Sequence, residues 1–161
     1  MVEITDAPLA SRFNLRGGAE VASRAGVVYG ICLPLVPHGA VEAGGRAAWW
    51  LGPDEWLLLS PDGDVPDIVG ALGDLPHSLV DVSDGTVALV VRGPGAARAL
   101  SAGCPLDLHS SAFPPGMATR TVLGRIGITL WRRGADEWRV EIARSLVAYG
   151  RAYLTEAARS A

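Results

Sequence analysis

Short apolar runs, each closed within a few residues by a glycine, proline or aspartate breaker, restrict this chain mainly to strands and hairpins. The clearest case is residues 46–60. Gly44-Gly45 turns into Arg46–Leu51, which reads as a strand, Gly52-Pro53-Asp54-Glu55 as a turn, and Trp56–Ser60 as the returning strand. Ile126, Ile128 and Leu130 alternate with Gly127, Thr129 and Trp131, the period of a half-buried strand. Arg133-Gly134-Ala135-Asp136 then turns into Trp138–Ile142, which alternates again. This pattern places Trp138, Val140 and Ile142 toward the core, with Arg139 and Glu141 on the other side. Further strands are predicted over Val27–Val36, Ser78–Ser83, Thr86–Arg92 and Ala118–Leu123. Ala88–Val91 and Leu57–Leu59 are continuous apolar runs, so their strands should be interior and covered on both faces.

Helix signals are fewer. Asp64 or Val65 caps a short helix with Pro66 in its first turn and Ile68, Val69 and Leu72 as its apolar stripe. Gly93-Pro94-Gly95 opens a helix through Leu100, and Gly103 suits its C′ position. A last helix runs over about residues 145–159, with Leu146, Gly150, Tyr153 and Ala157 on one side and Val147 and Leu154 beside them. Residues 1–24 read as a polar arm or short helix, and residues 25–161 as one domain. No internal sequence repeat is read. Hairpins mixed with helices predict an α+β domain, a mixed or antiparallel sheet with helices packed on it.

Composition narrows the function classes. A domain of 161 residues buries enough surface to need no staples. The net charge of −3 and pI near 5.5 argue against a broad nucleic-acid surface. All fourteen basic residues are arginine. Charged residues are 19%, below the ~25% usual for soluble domains, and the mean hydropathy is +0.26. That is more apolar material than a small monomer easily hides, which points to a partner. The acidic start Met1-Val2-Glu3-Ile4-Thr5-Asp6 lacks the basic and apolar regions of a signal peptide. The apolar run Val27–Val36 is about half of the ~20 residues a membrane span needs, so a cytoplasmic, non-membrane protein is expected. Cys32 and Cys104 read as two reduced, buried thiols. Charge is uneven. From Arg120 onward there are eight arginines and four acids, against six and thirteen before it, an arrangement that fits a polar docking surface or chance equally.

Each candidate for chemistry has a plainer structural explanation. His38, His77 and His109 are scattered, without metal-ligand spacing. Cys104, Asp107 and His109 lie close in sequence, which invites a nucleophile and its base, but Cys104 follows a helix stop and helix-end packing is the preferred reading. Ser83 lacks the G-x-S-x-G elbow and reads as a turn residue. Gly93-Pro94-Gly95-Ala96-Ala97-Arg98 carries two of the three glycines of a dinucleotide fingerprint. The third position is Arg98, and the ribose-binding acid expected ~20 residues on is absent, so a helix start is preferred. Arg132-Arg133 reads as a solvated hairpin tip, otherwise as a contact to an acidic partner. Trp49 and Trp50 must point to opposite faces of their strand. One faces the core; the other needs a helix, a loop, a second protein or partial cover at the surface. No catalytic, cofactor-binding or metal residue is assigned.

Several strings do carry a resemblance. Trp49-Trp50-Leu51-Gly52-Pro53-Asp54-Glu55-Trp56-Leu57-Leu58-Leu59 is distinctive. Together with Val80–Asp84, Gly103-Cys104-Pro105-Leu106-Asp107-Leu108, Ala112-Phe113-Pro114-Pro115-Gly116 and Arg144-Ser145, it resembles the gamma subunit family of heterotetrameric sarcosine oxidase over about residues 25–158. That family resembles in turn the folate-binding fold of the aminomethyltransferase T-protein. The resemblance implies a non-catalytic subunit whose partners are the alpha, beta and delta chains. FAD, FMN and NAD are implied in the partner subunits, and zinc in delta. The implied complex oxidatively demethylates sarcosine to glycine, makes hydrogen peroxide and passes a one-carbon unit to tetrahydrofolate. The aminomethyltransferases carry an aspartate pair on the strand corresponding to residues 125–131. Aligned from the hairpin turn, those positions here are Gly127 and Ile128, so the implied fold persists without the transfer carboxylate. The alternative is a stand-alone tetrahydrofolate-binding one-carbon transfer protein.

Overall fold

The structure is a computed structural model describing Met1–Ala161. In chain order the elements are β1 (Glu3–Asp6), β2 (Ala10–Gly17), α1 (Ala19–Tyr29), β3 (Ala40–Ala43), β4 (Arg46–Gly52), β5 (Glu55–Pro61), α2 (Ile68–Leu72) and β6 (His77–Asp81). There follow β7 (Thr86–Arg92), α3 (Ala96–Ser101), β8 (Met117–Leu123), β9 (Ile126–Arg132), β10 (Glu137–Ala143), a 3₁₀ turn at Arg144–Leu146 and α4 (Val147–Ala158). The chain divides into two compact units rather than an arm and one domain. The first is Leu9–Ser83; the second joins Met1–Pro8 to Asp84–Ala161. The α+β class holds, with two antiparallel sheets in place of one.

The first unit is a five-stranded sheet in the order β3-β4-β5-β2-β6. Its core takes Phe13, Leu15, Ala48, Trp56 and Leu58 from the strands, Val21, Ala25 and Tyr29 from α1, and Ile68 and Leu72 from α2. Each large apolar side chain buried this way contributes about 1.5–3 kcal/mol. The opposite face is covered too: Ala47, Trp49, Leu57 and Leu59 are all buried. Residues 19–29 are a helix, in line with the short-helix reading of the segment before residue 25 but correcting the strand predicted from Val27, and residues 10–17 are a strand of the sheet rather than an arm. Val21, Ala22, Ala25, Gly26 and Tyr29 form its buried stripe, and Gly30, at φ 77°, closes it. Val27 and Val28 are β-branched but sit on its exposed side. The strand β3 was not anticipated. α2 is capped by Asp67, whose carboxylate accepts from the Gly70 N–H at 2.9 Å, so the cap lies later than Asp64 or Val65 and Val69 is exposed.

The second unit is a five-stranded sheet in the order β1-β7-β10-β9-β8. Trp138, Val140 and Ile142 face its core with Leu89, Leu130 and Leu154, so the predicted register is correct. The alternate residues are not solvated, however. Glu141 and Trp131 are buried, and Glu141 accepts from Arg139 Nε at 2.8 Å and from the Thr86 hydroxyl at 2.7 Å. Gly150 sits on Ile142 and Ile126, and Leu154 fills the core beneath α4. Leu146, expected on the buried side, belongs to the 3₁₀ turn and is exposed.

The two units share one topology that the sequence reading missed. In each, a strand and a helix lead to three antiparallel strands and a second helix: β2-α1-β3-β4-β5-α2, then β7-α3-β8-β9-β10-α4. The first strand of each repeat (β2, β7) is paired on its outer side by a further strand: β6 follows α2, whereas β1 is supplied by the N-terminal end of the chain. With this frame a sequence repeat becomes visible. Trp49-x-x-Gly52-x-Asp54-Glu55-Trp56 recurs as Trp131-x-x-Gly134-x-Asp136-Glu137-Trp138, both at the turn of the equivalent hairpin.

Candidate functional site

The segment Gly93–Arg98 follows β7 and opens α3, as the sequence suggests, but its glycines serve a different purpose. A Cβ on Gly93 (φ 113°) would lie 2.3 Å from the Met1 carbonyl oxygen, and one on Gly95 would lie 2.9 Å from the Val2 side chain. The N-terminal strand lies against the turn where a dinucleotide fingerprint presents its pyrophosphate.

Cys104, Asp107 and His109 do not converge. The Cys104 thiol is buried in the core of the second unit, 3.6 Å from the Thr121 hydroxyl. Asp107 accepts the His109 backbone N–H at 2.9 Å, and the His109 ring meets the Ser111 hydroxyl at 2.7 Å. The two side chains brace a turn and neither addresses the thiol. Cys32 is exposed, against expectation, because it follows the helix cap. His77 Nδ1 lies 2.6 Å from the Leu75 carbonyl, and His38 meets the Trp50 ring edge-on at 5.7 Å. Ser83 is a turn residue: its hydroxyl donates to Asp81 at 2.6 Å and accepts the Arg12 N–H at 2.8 Å. No group of three His, Cys, Asp or Glu side chains is arranged to hold a metal ion.

The Arg132-Arg133 pair separates. Arg133 is exposed and pairs with Glu137 at 3.1 Å. Arg132 is buried, correcting the solvated-tip reading. It donates to the carbonyls of Phe113 at 2.8 Å, Ala135 at 2.7 Å and Leu108 at 3.4 Å, with its guanidinium 4.8 Å from the Trp138 ring centroid. It therefore fastens the proline-rich loop 104–116 to the hairpin. Arg46, the first residue of β4, makes a comparable set of contacts in the first unit. It binds Asp64 through Nε and Nη2 at 2.8 and 2.9 Å, donates to the Tyr29 carbonyl at 2.9 Å and lies over the Tyr29 ring. The Arg46 hydrogen bond holds the Asp64 carboxyl below its ordinary range. Burial pushes the Tyr29 phenol well above the usual tyrosine range, partly offset by Arg46, and its hydroxyl donates to the Leu59 carbonyl.

Trp49 is fully buried and Trp50 half-buried against the core of the first unit. Both indoles find cover, so the opposite-face placement expected of the pair is met without a second protein. The exposed apolar surface lies elsewhere, at Val27, Leu35 and Val36. Gly127 has nothing within 4 Å of an added Cβ, and Ile128 is in the core. Charge divides with the units. The first carries four arginines and nine acids, the second ten arginines and eight acids.

The comparisons with known proteins fit this picture. The model of the sarcosine oxidase, gamma subunit family matches residues 16–160. The chain belongs to that family. Sarcosine oxidase subunit gamma from Corynebacterium sp. (strain P-1) is 42% identical over 105 residues, 64% of this chain and 51% of that one. The subunit from Arthrobacter sp. is 41% identical over 104 residues, 63% of this chain and 50% of that one. The matched region spans about half the length of these curated relatives. A chain of heterotetrameric sarcosine oxidase from Corynebacterium sp. U-96, solved with pyrrole 2-carboxylate, superposes with a TM-score of 0.89 at 30% identity, covering 97% of this chain and 83% of that one. Glycine cleavage system aminomethyltransferase T from Bartonella henselae shares the fold, with a TM-score of 0.72 at 11% identity over 95% of this chain and 45% of that one. The resemblance carried by the Trp49–Leu59 and Gly103–Leu108 strings therefore identified the family and the fold correctly. The sequence reading missed the anchors Arg132, which is buried, and Arg46, which is half-buried. Their only local signal was an arginine next to a hairpin turn, which ordinarily marks a solvated tip.

Proposed function

We propose that this chain is a non-catalytic assembly subunit of a heterotetrameric sarcosine oxidase-type flavoenzyme. The supporting observation is its near-complete superposition on a chain of such an enzyme. Its partners are the alpha, beta and delta chains. FAD, FMN and NAD sit in partner subunits and zinc in delta; this chain supplies a folded surface. The complex oxidises sarcosine or a related N-methyl amine, and the one-carbon unit passes to tetrahydrofolate in a partner. The side chains here support a scaffold role. Arg132 is engaged by backbone carbonyls and Arg139 by the Glu141 carboxylate, and the Cys104 thiol meets a threonine hydroxyl rather than a base. Chemistry of this kind needs at least one positioned acid, base or nucleophile at the reacting atoms.

Co-expression with the alpha, beta and delta chains tests the proposal. The chain should co-purify with them at a fixed ratio. Alone it should be colourless, release no peroxide with sarcosine and bind neither NAD nor tetrahydrofolate. A stoichiometric flavin on the isolated chain, or no association with the other three, overturns the reading.

A further inference from the structure

The edge strand β1 is the loosest strand of the second sheet. It is four residues long and, alone among the strands of that sheet, has no buried side chain. A groove of about 310 Å³ opens between β1 and α4, lined by Val2, Ile4, Thr155, Ala158 and Arg159. Besides its backbone bonds to β7, one exposed ion pair, Asp6 with Arg151 of α4, holds β1 in place. Exposed pairs of this kind add little. Short pairing and incomplete packing mark an element that opens before the rest of its unit.

The seat that β1 occupies is well defined. Ala7 donates to the Ala88 carbonyl at 3.0 Å, so Ala88, Val90 and Arg92 turn their backbone groups toward β1. Ala88, Leu89, Val90 and Val91 are all buried, so lifting β1 bares the edge of an apolar strand, which calls for another strand. Three further features fit residues 1–6 in particular. Gly93, without a Cβ, admits the Met1 carbonyl, Val2 and Ile4 pack on the core, and Arg151 takes Asp6. A foreign strand would recover the backbone bonds and lose those three contacts, whereas residues 1–6 of a second copy recover all of them. In the first unit the equivalent edge of β2 is covered by β6, which follows α2 in the same half of the chain. β1 is instead tethered to β2 through Pro8 and an exposed Leu9. A short hinge beside an edge strand is the arrangement from which strands exchange between copies.

We propose that β1 is an exchangeable strap, which lifts from its own β7 and seats on β7 of a second copy, so that reciprocal exchange gives a closed two-fold dimer of this chain. The exchange needs only this chain and is independent of the assembly reading above. Hydrogen exchange of the wild-type chain reads the opening. The amides of Thr5 and Val90, opposed across β1 and β7, should exchange at least tenfold faster than those of Leu130 and Val140 in the middle of the sheet. Equal protection overturns the proposal. Cross-linking reads the exchange. Glu3 and Arg92 are opposed and exposed, at a spacing that suits a disulfide. Glu3→Cys/Arg92→Cys/Cys32→Ser is concentrated and resolved by size-exclusion chromatography with light scattering, and each fraction is oxidised. On a non-reducing gel the monomer fraction should close its disulfide within the chain, and the dimer fraction should run as a covalent dimer. Thr5→Cys/Val90→Cys/Cys32→Ser should repeat the pattern, so a folding defect in one variant does not decide the result. A chain that stays monomeric at every concentration, or a dimer whose cysteines close within each chain, overturns the proposal.

Discussion

Trp56 and Trp138 hold the same place in two hairpins 82 residues apart, yet their indole nitrogens meet different surroundings. Trp56 Nε1 donates to the Pro34 carbonyl at 2.7 Å, which pins the segment after α1. Trp138 Nε1 is buried without a partner, and its ring lies under the Arg132 guanidinium instead. The repeat keeps the aromatic volume and varies what that volume holds in place.

Trp56→Phe and Trp138→Phe should therefore differ in cost. Both remove buried area. Only the first also breaks a hydrogen bond, worth about 1 kcal/mol net, and the second removes an N–H that lacks a partner. Urea unfolding of the full chain should show Trp56→Phe less stable than Trp138→Phe by about 1 kcal/mol. Equal midpoints would mean that the Pro34 contact adds nothing.

Arg132→Ala should be among the most damaging single changes in the second unit. It exposes the carbonyls of Phe113, Ala135 and Leu108 to an unfilled cavity and removes the cation from the Trp138 face. A loss of about 3 kcal/mol or more follows from several charge-assisted bonds lost together. Arg132→Lys keeps the charge but cannot span carbonyls on both sides, so it should recover only part. Hydrogen exchange should accelerate first in loop 104–116. Uniform acceleration across the unit would contradict the anchoring role.

Hairpins were the most legible part of the sequence because alternation and turn residues act within a few positions. The 46–60 and 126–142 hairpins needed nothing beyond Gly-Pro-Asp-Glu and Gly-Ala-Asp at their tips. The division into two sheets was not legible. It depends on β6 pairing with β2 and β1 pairing with β7, contacts between residues tens of positions apart. The extent of α1 was not legible because Val27 and Val28 read as a strand start, although Val21, Ala25 and Tyr29 already had helical spacing. The exposed apolar segment after α1 was not legible, since Leu33 buries and Leu35 does not, and only the path of the backbone decides between them.

Gly103 and Gly127 make a contrasting pair. Gly103 was read as a helix C′ residue needing positive φ, but it lies outside that region, and its constraint is space. A Cβ there would come 2.6 Å from the Tyr153 ring and 2.8 Å from the Gly124 nitrogen. Gly103→Ala should cost about 1–3 kcal/mol, with partial recovery in Gly103→Ala/Tyr153→Leu. Gly127→Ala has open space and should be neutral or stabilising by about 0.5–1 kcal/mol. Thermal unfolding of the three variants checks both halves; a Gly103→Ala chain as stable as wild type would show that Tyr153 moves aside freely.

Acid and alkali should act on the first unit through Asp64 and Tyr29. The Arg46 hydrogen bond lowers the Asp64 carboxyl in the folded state relative to its ordinary 3.8. Its contribution is present above that value and lost as pH falls through the folded one. Asp64→Asn should thus be less stable than wild type at neutral pH, and the two Tm curves should converge in strong acid. Tyr29 works at the other end. Burial raises its folded pKa far above the ordinary 10.0, so the folded chain keeps a proton that the unfolded chain releases. Stability from this group is complete below about pH 10 and falls as pH rises beyond it. Tyrosinate absorbance gained before alkaline unfolding should fall short of that of the unfolded chain, and Tyr29→Phe should remove both the shortfall and part of the alkaline loss. If Tyr29→Phe leaves the alkaline limb of the Tm curve unchanged, the phenol is not what destabilises the chain there.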